Sequence, residues 1–279
     1  MLSENSKLAL IIHAYYPEEF SEILNIVNES VDLLKLFITT PLEKEATVLN
    51  ALTAFQGDYV VRVTENRGRD VLPFLDIYPS VKSEGFDLVI KVHTKRSPHL
   101  RDGESWRREM IGALLAREAL LRMQAAFMND RSLAVVGPEK QFVYIRDYIG
   151  GNSEDVGKLA KSLGISDDQV TDAGFFAGTM FAARAIALDP IFNLGFTGND
   201  FPDEAGQVDG TLAHALERAM TFGALLLGMR VATVEDLDGD AVPNKSLQFS
   251  LSGTGGALRV TGRTLERSVR LWLRGRMPK

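Results

Sequence analysis

Two segments, 59-YVVRVTENRGRD-70 and 86-FDLVIKVHTKRS-97, decide how this chain is read. The first opens on a β-branched run from Tyr59 to Val63 that breaks at Thr64 and delivers Asn66, Arg67, Gly68, Arg69 and Asp70 ahead of the amphipathic VLPFLDIY. The second runs as a strand from Asp87 to Val92 and delivers His93, Thr94, Lys95, Arg96 and Ser97. Both polar bursts follow a strand. In an open α/β sheet, ligands bind in the crevice beyond the carboxyl ends of the strands, so the two bursts read as two walls of one pocket. Arg67, Arg69, Lys95 and Arg96 make that pocket positive in a chain whose net charge is -6. The expectation is an anion-binding crevice for a diphosphate.

Working outward, the chain repeats the same unit. Leu8 to Ile12 is a continuous apolar run followed by His13, Ala14, Tyr15, Tyr16 and Pro17, then by the helical pattern EEFSEILNIVNES. LLKLFITTP and EKEATVLNALTAF repeat the alternation. Apolar strands without a period of two suit a sheet covered on both faces. The rhythm predicts an α/β fold with a mostly parallel, doubly wound sheet.

Beyond Ser97, WRREMIGALLAREALLRMQAAFMND is the longest helical pattern, and Leu133 to Val136 is a fifth strand ended by Gly137 and Pro138. Residues 146–172 hold too few large apolar residues for a core of their own and read as an excursion over the pocket. AGFFAGTMFAARAIAL reads as one strand passing into a helix near Arg184. GFTGNDFPDEAGQVDG is an acidic loop, TLAHALERAMTFGALLLG a helix, and MRVATVE a closing strand. One domain over 1–240 is expected, followed by a linker and tail over 241–279.

The tail is basic. Residues 259–279 hold six Arg and one Lys against one Glu, a net +6, which leaves -12 on residues 1–258. Leu265, Val269 and Trp272 fall at helical spacing among the arginines, the pattern of an interfacial helix. An anionic membrane surface and packing on the acidic body of the chain are equal readings, the former at about 1 kcal/mol per basic residue. The negative total argues against a nucleic-acid partner. Cysteine is absent, so neither disulfide nor zinc-thiolate site is expected, and four histidines leave no metal cluster. The absence of a basic leader or a long apolar run leads to the expectation of a cytoplasmic protein, with attachment at the inner face of the membrane compatible with it. No P-loop, dinucleotide fingerprint or nucleophile elbow occurs.

The phrases NRGRDVLPFL, KVHTKRSPH with GESWRREMIGALL, VVGPE, FFAGTMFAARAIAL and DGTLAHALERAM together resemble the rhamnan synthesis protein F family, the RgpF-like proteins of bacterial polysaccharide assembly. The resemblance covers residues 8–235. It implies a glycosyltransferase of rhamnan or O-antigen-type surface glycans that uses a nucleotide-activated sugar, with dTDP-rhamnose the expected donor and a glycan or lipid-linked acceptor. A looser likeness is to inverting GT-A glycosyltransferases. It is carried by LALIIHAYYPEE, by the turn of Asn66, Arg67 and Gly68, by FFAGTMFAAR with Gly178 beneath the acceptor, and by the segment from Asp209 to Arg218. Where those enzymes carry an Asp-x-Asp metal motif, this chain reads KVHTKRS. The implied chemistry therefore requires no cofactor, although a divalent metal (Mg or Mn) stays compatible with it.

From this likeness come the expected roles. His93, Lys95, Arg96 and Arg69 stabilise the donor diphosphate as fixed cations. His13 and Tyr15 frame the nucleobase, with Asn66, Gly68 and Asp70 also at the nucleotide; buried packing, a turn glycine and a helix-start acid explain the same residues. Asp209 is the first choice of general base, with Glu204 and Asp203 in reserve, and Asp209 equally suits a helix N-cap. Trp106, His214 and Arg218 meet the acceptor or sugar, while packing and an ion pair between His214 and Glu217 are the plainer alternatives. The rival function is a non-catalytic glycan- or nucleotide-binding module. A second enzyme reading, nucleotidyl transfer to a sugar phosphate, shares the pocket but demands a metal.

Overall fold

The computed structural model describes residues 7–94 and 103–237, with side chains excepted over 103–107. The chain begins with β1 (Leu8–His13), α1 (Pro17–Val27), β2 (Leu34–Pro41) and α2 (Glu45–Leu52). It continues through β3 (Asp58–Thr64), α3 (Val71–Ser83) and β4 (Leu88–His93), then α4 (Gly103–Leu115), α5 (Arg117–Asn129) and β5 (Leu133–Gly137). A short pair of strands, β6 (Phe142–Tyr144) and β7 (Gly174–Phe176), brackets α6 (Ile145–Tyr148), α7 (Ser153–Leu163) and α8 (Asp167–Asp172). The last elements are β8 (Phe181–Arg184), α9 (Ala185–Phe192), α10 (Leu212–Ala219), α11 (Phe222–Leu226) and β9 (Arg230–Thr233).

The main sheet has the order β3-β2-β1-β4-β8-β5-β9 and is parallel except for β8, which runs against β4 and β5. This is the expected mostly parallel α/β sheet. Successive residues of a strand face opposite sides, and here both sides are covered. Ile11, Phe37 and Val89 face Phe74, Tyr78, Leu188 and Leu216 on one side. Leu10, Leu36, Ile38 and Ile90 face Phe20, Ile23, Leu114 and Phe127 on the other. Each such side chain contributes about 1.5–3 kcal/mol on burial. β3 is the edge strand, which leaves Tyr59 and Val63 exposed.

Three expected elements are interrupted. The single strand through AGFFAGTMFAAR is two, β7 and β8, split by a turn in which Gly178 (φ 90) and Thr179 (φ 50) are left-handed. β8 then enters the main sheet antiparallel, which a continuous strand could not do. The long helix divides into α4 and α5 at Ala116, whose ψ of 141 is extended. The helix expected after Thr211 divides into α10 and α11, with the Thr221 hydroxyl between them donating to the Gly174 carbonyl.

Residues 145–172 build no separate core: Val156, Leu159, Ile165 and Val170 join the cluster that holds Leu216 of α10. Among the described residues no helix is long and apolar enough to cross a membrane. The basic tail and its linker lie outside the described residues.

Candidate functional site

The sheet changes direction between β1 and β4. From β1 the chain winds outward through β2 to β3, then returns to place β4 on the other flank of β1. At such a switch point the loops leaving two adjacent parallel strands diverge and a crevice opens above them. His13 and His93, the last residues of β1 and β4, are register partners there, 9% and 5% exposed. His93 donates its Nε2 proton to the Gly178 carbonyl at 2.7 Å, since a carbonyl can only accept. The His13 ring shares a 3.0 Å hydrogen bond, through Nδ1, with the Thr39 hydroxyl at the end of β2. Burial pushes the His13 ring down to about 4, and His93 and Lys91 add to that against the opposing pull of Asp70. His13 is thus neutral at pH 7.

Beneath this pair lies a buried charge. Lys91, two residues before His93 and on the same face of β4, is 1% exposed. Its ammonium lies 2.5 Å from Asp70 Oδ2, donates to the Thr179 carbonyl at 3.0 Å, and sits 5.5 Å from the centre of the Phe74 ring. The Thr179 hydroxyl donates to the same Asp70 oxygen. Burial alone would raise the Asp70 carboxyl, but Lys91, His93 and Thr179 together hold it well below the usual carboxylate range. Asp70 is therefore an anion within the crevice.

The rim is tied down by backbone groups. Thr94 Oγ1 accepts the amide protons of Tyr15 and Tyr16, each at 2.9 Å, which fixes the loop after β1 onto the end of β4. The Tyr15 ring lies 6.4 Å from that of His13 and meets Tyr16 edge-on at 4.9 Å. On the opposite flank the Gly178 N–H donates to Glu217 at 2.6 Å, so the turn before β8 is held by His93 through its carbonyl and by α10 through its amide.

Glu217 leads to a second polar node. Its Oε2 lies 3.8 Å from the buried Arg218 guanidinium, which donates to the Tyr148 and His214 carbonyls and lies 3.4 Å from Asp209. Asp209 also accepts from the Asn152 amide at 2.6 Å and the Gly151 N–H at 2.9 Å. Burial would raise its carboxyl, yet Asn152, Gly151 and Arg218 bring it below the usual value. Gly150 has φ +56, and a Cβ there would collide with this carboxylate. Asp209 is not the N-cap of the helix: Thr211 is, through a capping box with His214. His214 accordingly pairs with the Thr211 hydroxyl at 2.8 Å through Nδ1.

The turn after β3 forms a third group. Arg67 pairs with Asp203 and donates to the carbonyls of Gly198 and Phe201. The Arg69 guanidinium donates to the Gln207 carbonyl and its backbone N–H to Glu204 at 3.0 Å. Gly68 and Arg69 are both left-handed, at φ 63 and 57. The strand-end arginines thus fasten the acidic loop, and Asn66 stands exposed beside them.

The structure therefore brings His13, His93, Asp70 and Gly178 together at the ends of β1 and β4, with Tyr15 beside them. Asp209 and Arg218 form a network linked to it through Glu217, while Arg69, Gly68 and Glu204 share the turn and loop. Lys95 and Arg96 lie outside the described residues, as does the side chain of Trp106, whose backbone is in α4. Among the described residues no group of three or more His, Cys, Asp or Glu side chains forms a metal cluster. Sequence reasoning missed Lys91, Thr179 and Asn152. A lysine inside the apolar strand LVIKVH was the signal for the first.

Fold and crevice define a doubly wound α/β protein with a buried polar site at its switch point. By sequence the chain belongs to the rhamnan synthesis protein F (RgpF) family, whose profile matches residues 1–227, and so to proteins of rhamnan and polysaccharide synthesis. It is 37% identical over 226 residues to the uncharacterized protein WxcX of Xanthomonas campestris pv. campestris strain B100, and equally to that of strain ATCC 33913. The match takes in 81% of this chain and 32% of either relative, so the chain spans about a third of their length. Among solved structures, 4-diphosphocytidyl-2C-methyl-D-erythritol synthase from Anaerococcus prevotii aligns at TM-score 0.40 and 12% identity, over 82% of this chain and 88% of that one.

Proposed function

We propose that this chain is a glycosyltransferase unit of GT-A-like architecture that transfers a sugar, rhamnose from dTDP-rhamnose, with inversion onto a surface glycan or its lipid-linked precursor. The observation that carries the reading is the position of His13 and His93 at the switch point, over a charged residue pair that a purely structural strand end does not need. Membership of a rhamnan synthesis family supports the sugar.

In this reading the nucleotide lies across the ends of β1 and β4, with Tyr15 and the neutral His13 beside the base. Cations take up the charge of the departing diphosphate: His93, Lys95 and Arg96 from the end of β4, and Arg69 on release from Gln207. Asp70 is the carboxylate that α3 brings to this end of β4, and it is already committed to Lys91 and Thr179. With cations from the strand end in place of an Asp-x-Asp motif, the mechanism is proposed without a metal. For the acceptor proton, Asp209 already receives three donors, whereas Glu204 receives the Arg69 N–H. Each donated hydrogen bond lowers basicity, so Glu204 is assigned as the base and Asp209 as the residue that holds the 150–152 loop against α10.

Transfer assayed with dTDP-rhamnose and a panel of other nucleotide sugars tests the reading. Glu204→Gln is expected to abolish product while leaving donor affinity intact. Wild-type protein that binds a donor yet never transfers it, alone or within a longer chain, would favour the second reading, a binding module.

A further inference from the structure

A lysine in the middle of a central strand needs a reason. Ile11 and Phe181, its register partners on β1 and β8, are apolar, and so is Val89 before it on the same face. Removing an ammonium and a carboxylate from water costs several kcal/mol per ion, and apolar residues of similar volume commonly serve stability as well or better. The Lys91–Asp70 pair is therefore poorly explained by stability.

Its geometry is asymmetric. Lys91 and Thr179 both engage Oδ2 of Asp70, and among the described residues nothing donates to Oδ1. The Asp70 side chain keeps 12% exposure, and Oδ1 is not among the buried atoms without a partner, so that oxygen still meets solvent. Asp70 lies close enough to both His13 and His93 to act on their rings electrostatically. The result is an oriented anion with one oxygen fixed from below and one acceptor oxygen left over, in the crevice. A phosphate would be repelled there. A hydroxyl would be bound, because an ionised carboxylate is a strong acceptor for a neutral O–H donor.

Resting on the nucleotide-sugar reading above, we propose that Asp70 Oδ1 binds a sugar hydroxyl of the ligand, and that Lys91 is the positioning residue that aims it. The hydroxyl belongs to the nucleotide's pentose or to the transferred sugar. The turn at Gly178 is set by the same pair: Lys91 holds the Thr179 carbonyl, Asp70 the Thr179 hydroxyl, and the left-handed Thr179 backbone follows Gly178, the acceptor of His93. Loss of Lys91 would thus loosen both Asp70 and His93.

The test is calorimetric titration of dTDP and dTDP-rhamnose into wild type, Lys91→Met and the double variant Lys91→Met with Asp70→Asn, each with its melting temperature. The double variant carries no unpaired buried charge and is expected to melt near wild type while binding about 10- to 100-fold more weakly, the range for loss of a hydrogen bond to a charged acceptor. A loss seen with dTDP places the hydroxyl on the pentose, and a loss confined to dTDP-rhamnose places it on the transferred sugar. In Lys91→Met, affinity should recover with rising pH as Asp70, which among the described residues then faces His13 and His93, ionises again, a profile that a purely structural lysine would not produce. Wild-type affinity in a double variant of normal stability would overturn the inference and leave the function standing. Wild-type protein that binds neither ligand would overturn both.

Discussion

Arg67 and Asp203, 136 residues apart, form an ion pair and an isolated antiparallel bridge, so the turn after β3 and the acidic loop before α10 are stitched together. Arg67 also donates to the carbonyls of Gly198 and Phe201, which gives the guanidinium two duties. Asp203 itself is 85% exposed, and exposed pairs contribute about 0–1 kcal/mol. Asp203→Asn should therefore leave the urea midpoint almost unchanged. Arg67→Ala, which also strips the carbonyl contacts, should cost about 1–2 kcal/mol. Hydrogen exchange over 198–207 should quicken in Arg67→Ala well beyond the change in Asp203→Asn.

Gly68→Ala should be strongly destabilising. The residue sits at φ +63, and a Cβ there would lie 2.6 Å from Leu72 Cβ and 2.7 Å from Phe201 Cδ1. Strain of about 1–3 kcal/mol follows from the backbone alone, before any shift of Phe201. Denaturant unfolding measures it.

Asp209→Asn should behave as a loss of structure more than of chemistry. One amide oxygen cannot replace two carboxylate oxygens that accept from Gly151, Asn152 and the buried Arg218. A stability loss of about 1–3 kcal/mol is expected, with transfer persisting in proportion to the folded fraction. Transfer abolished in a variant of wild-type stability would return Asp209 to the role of base.

Acid should weaken the fold through His13. Its ring is held near 4 in the native state against about 6.5 when unfolded, so between these values the unfolded chain binds more protons. The stabilisation is complete above pH 6.5 and drains away as pH falls toward 4, to a total of about 3 kcal/mol. Asp70, also depressed, loses its contribution only below the ordinary carboxylate value and lies outside this window. Urea midpoints across pH 4–7 should slope downward toward acid in wild type and flatten in His13→Gln.

The sheet was legible in the sequence because both of its faces are covered: LALII, LLKLFITT and FDLVIKV are apolar runs that little else accommodates. The strand ends carrying His13 and His93 were legible for the same reason, since polarity after such a run marks the end of a buried strand. The turn at Gly178 was hidden, because a reversal within AGFFAGTM changes no periodicity. Arg67 and Arg69 read as ligand cations in the sequence, and the folded chain also pairs them with carbonyls and acids of a loop more than a hundred residues away. That pairing leaves no local mark. Lys91 did leave one, but a single charged residue in a strand points to a buried partner without saying which.

The most direct test of the account watches the histidine rings by NMR while dTDP or UDP is added to the wild-type chain. The account predicts that His13 and His93 shift together and saturably, with His214, held in its capping box, nearly still. Saturable binding that leaves His13 and His93 unmoved, or no binding of either nucleotide at millimolar concentration, would contradict it.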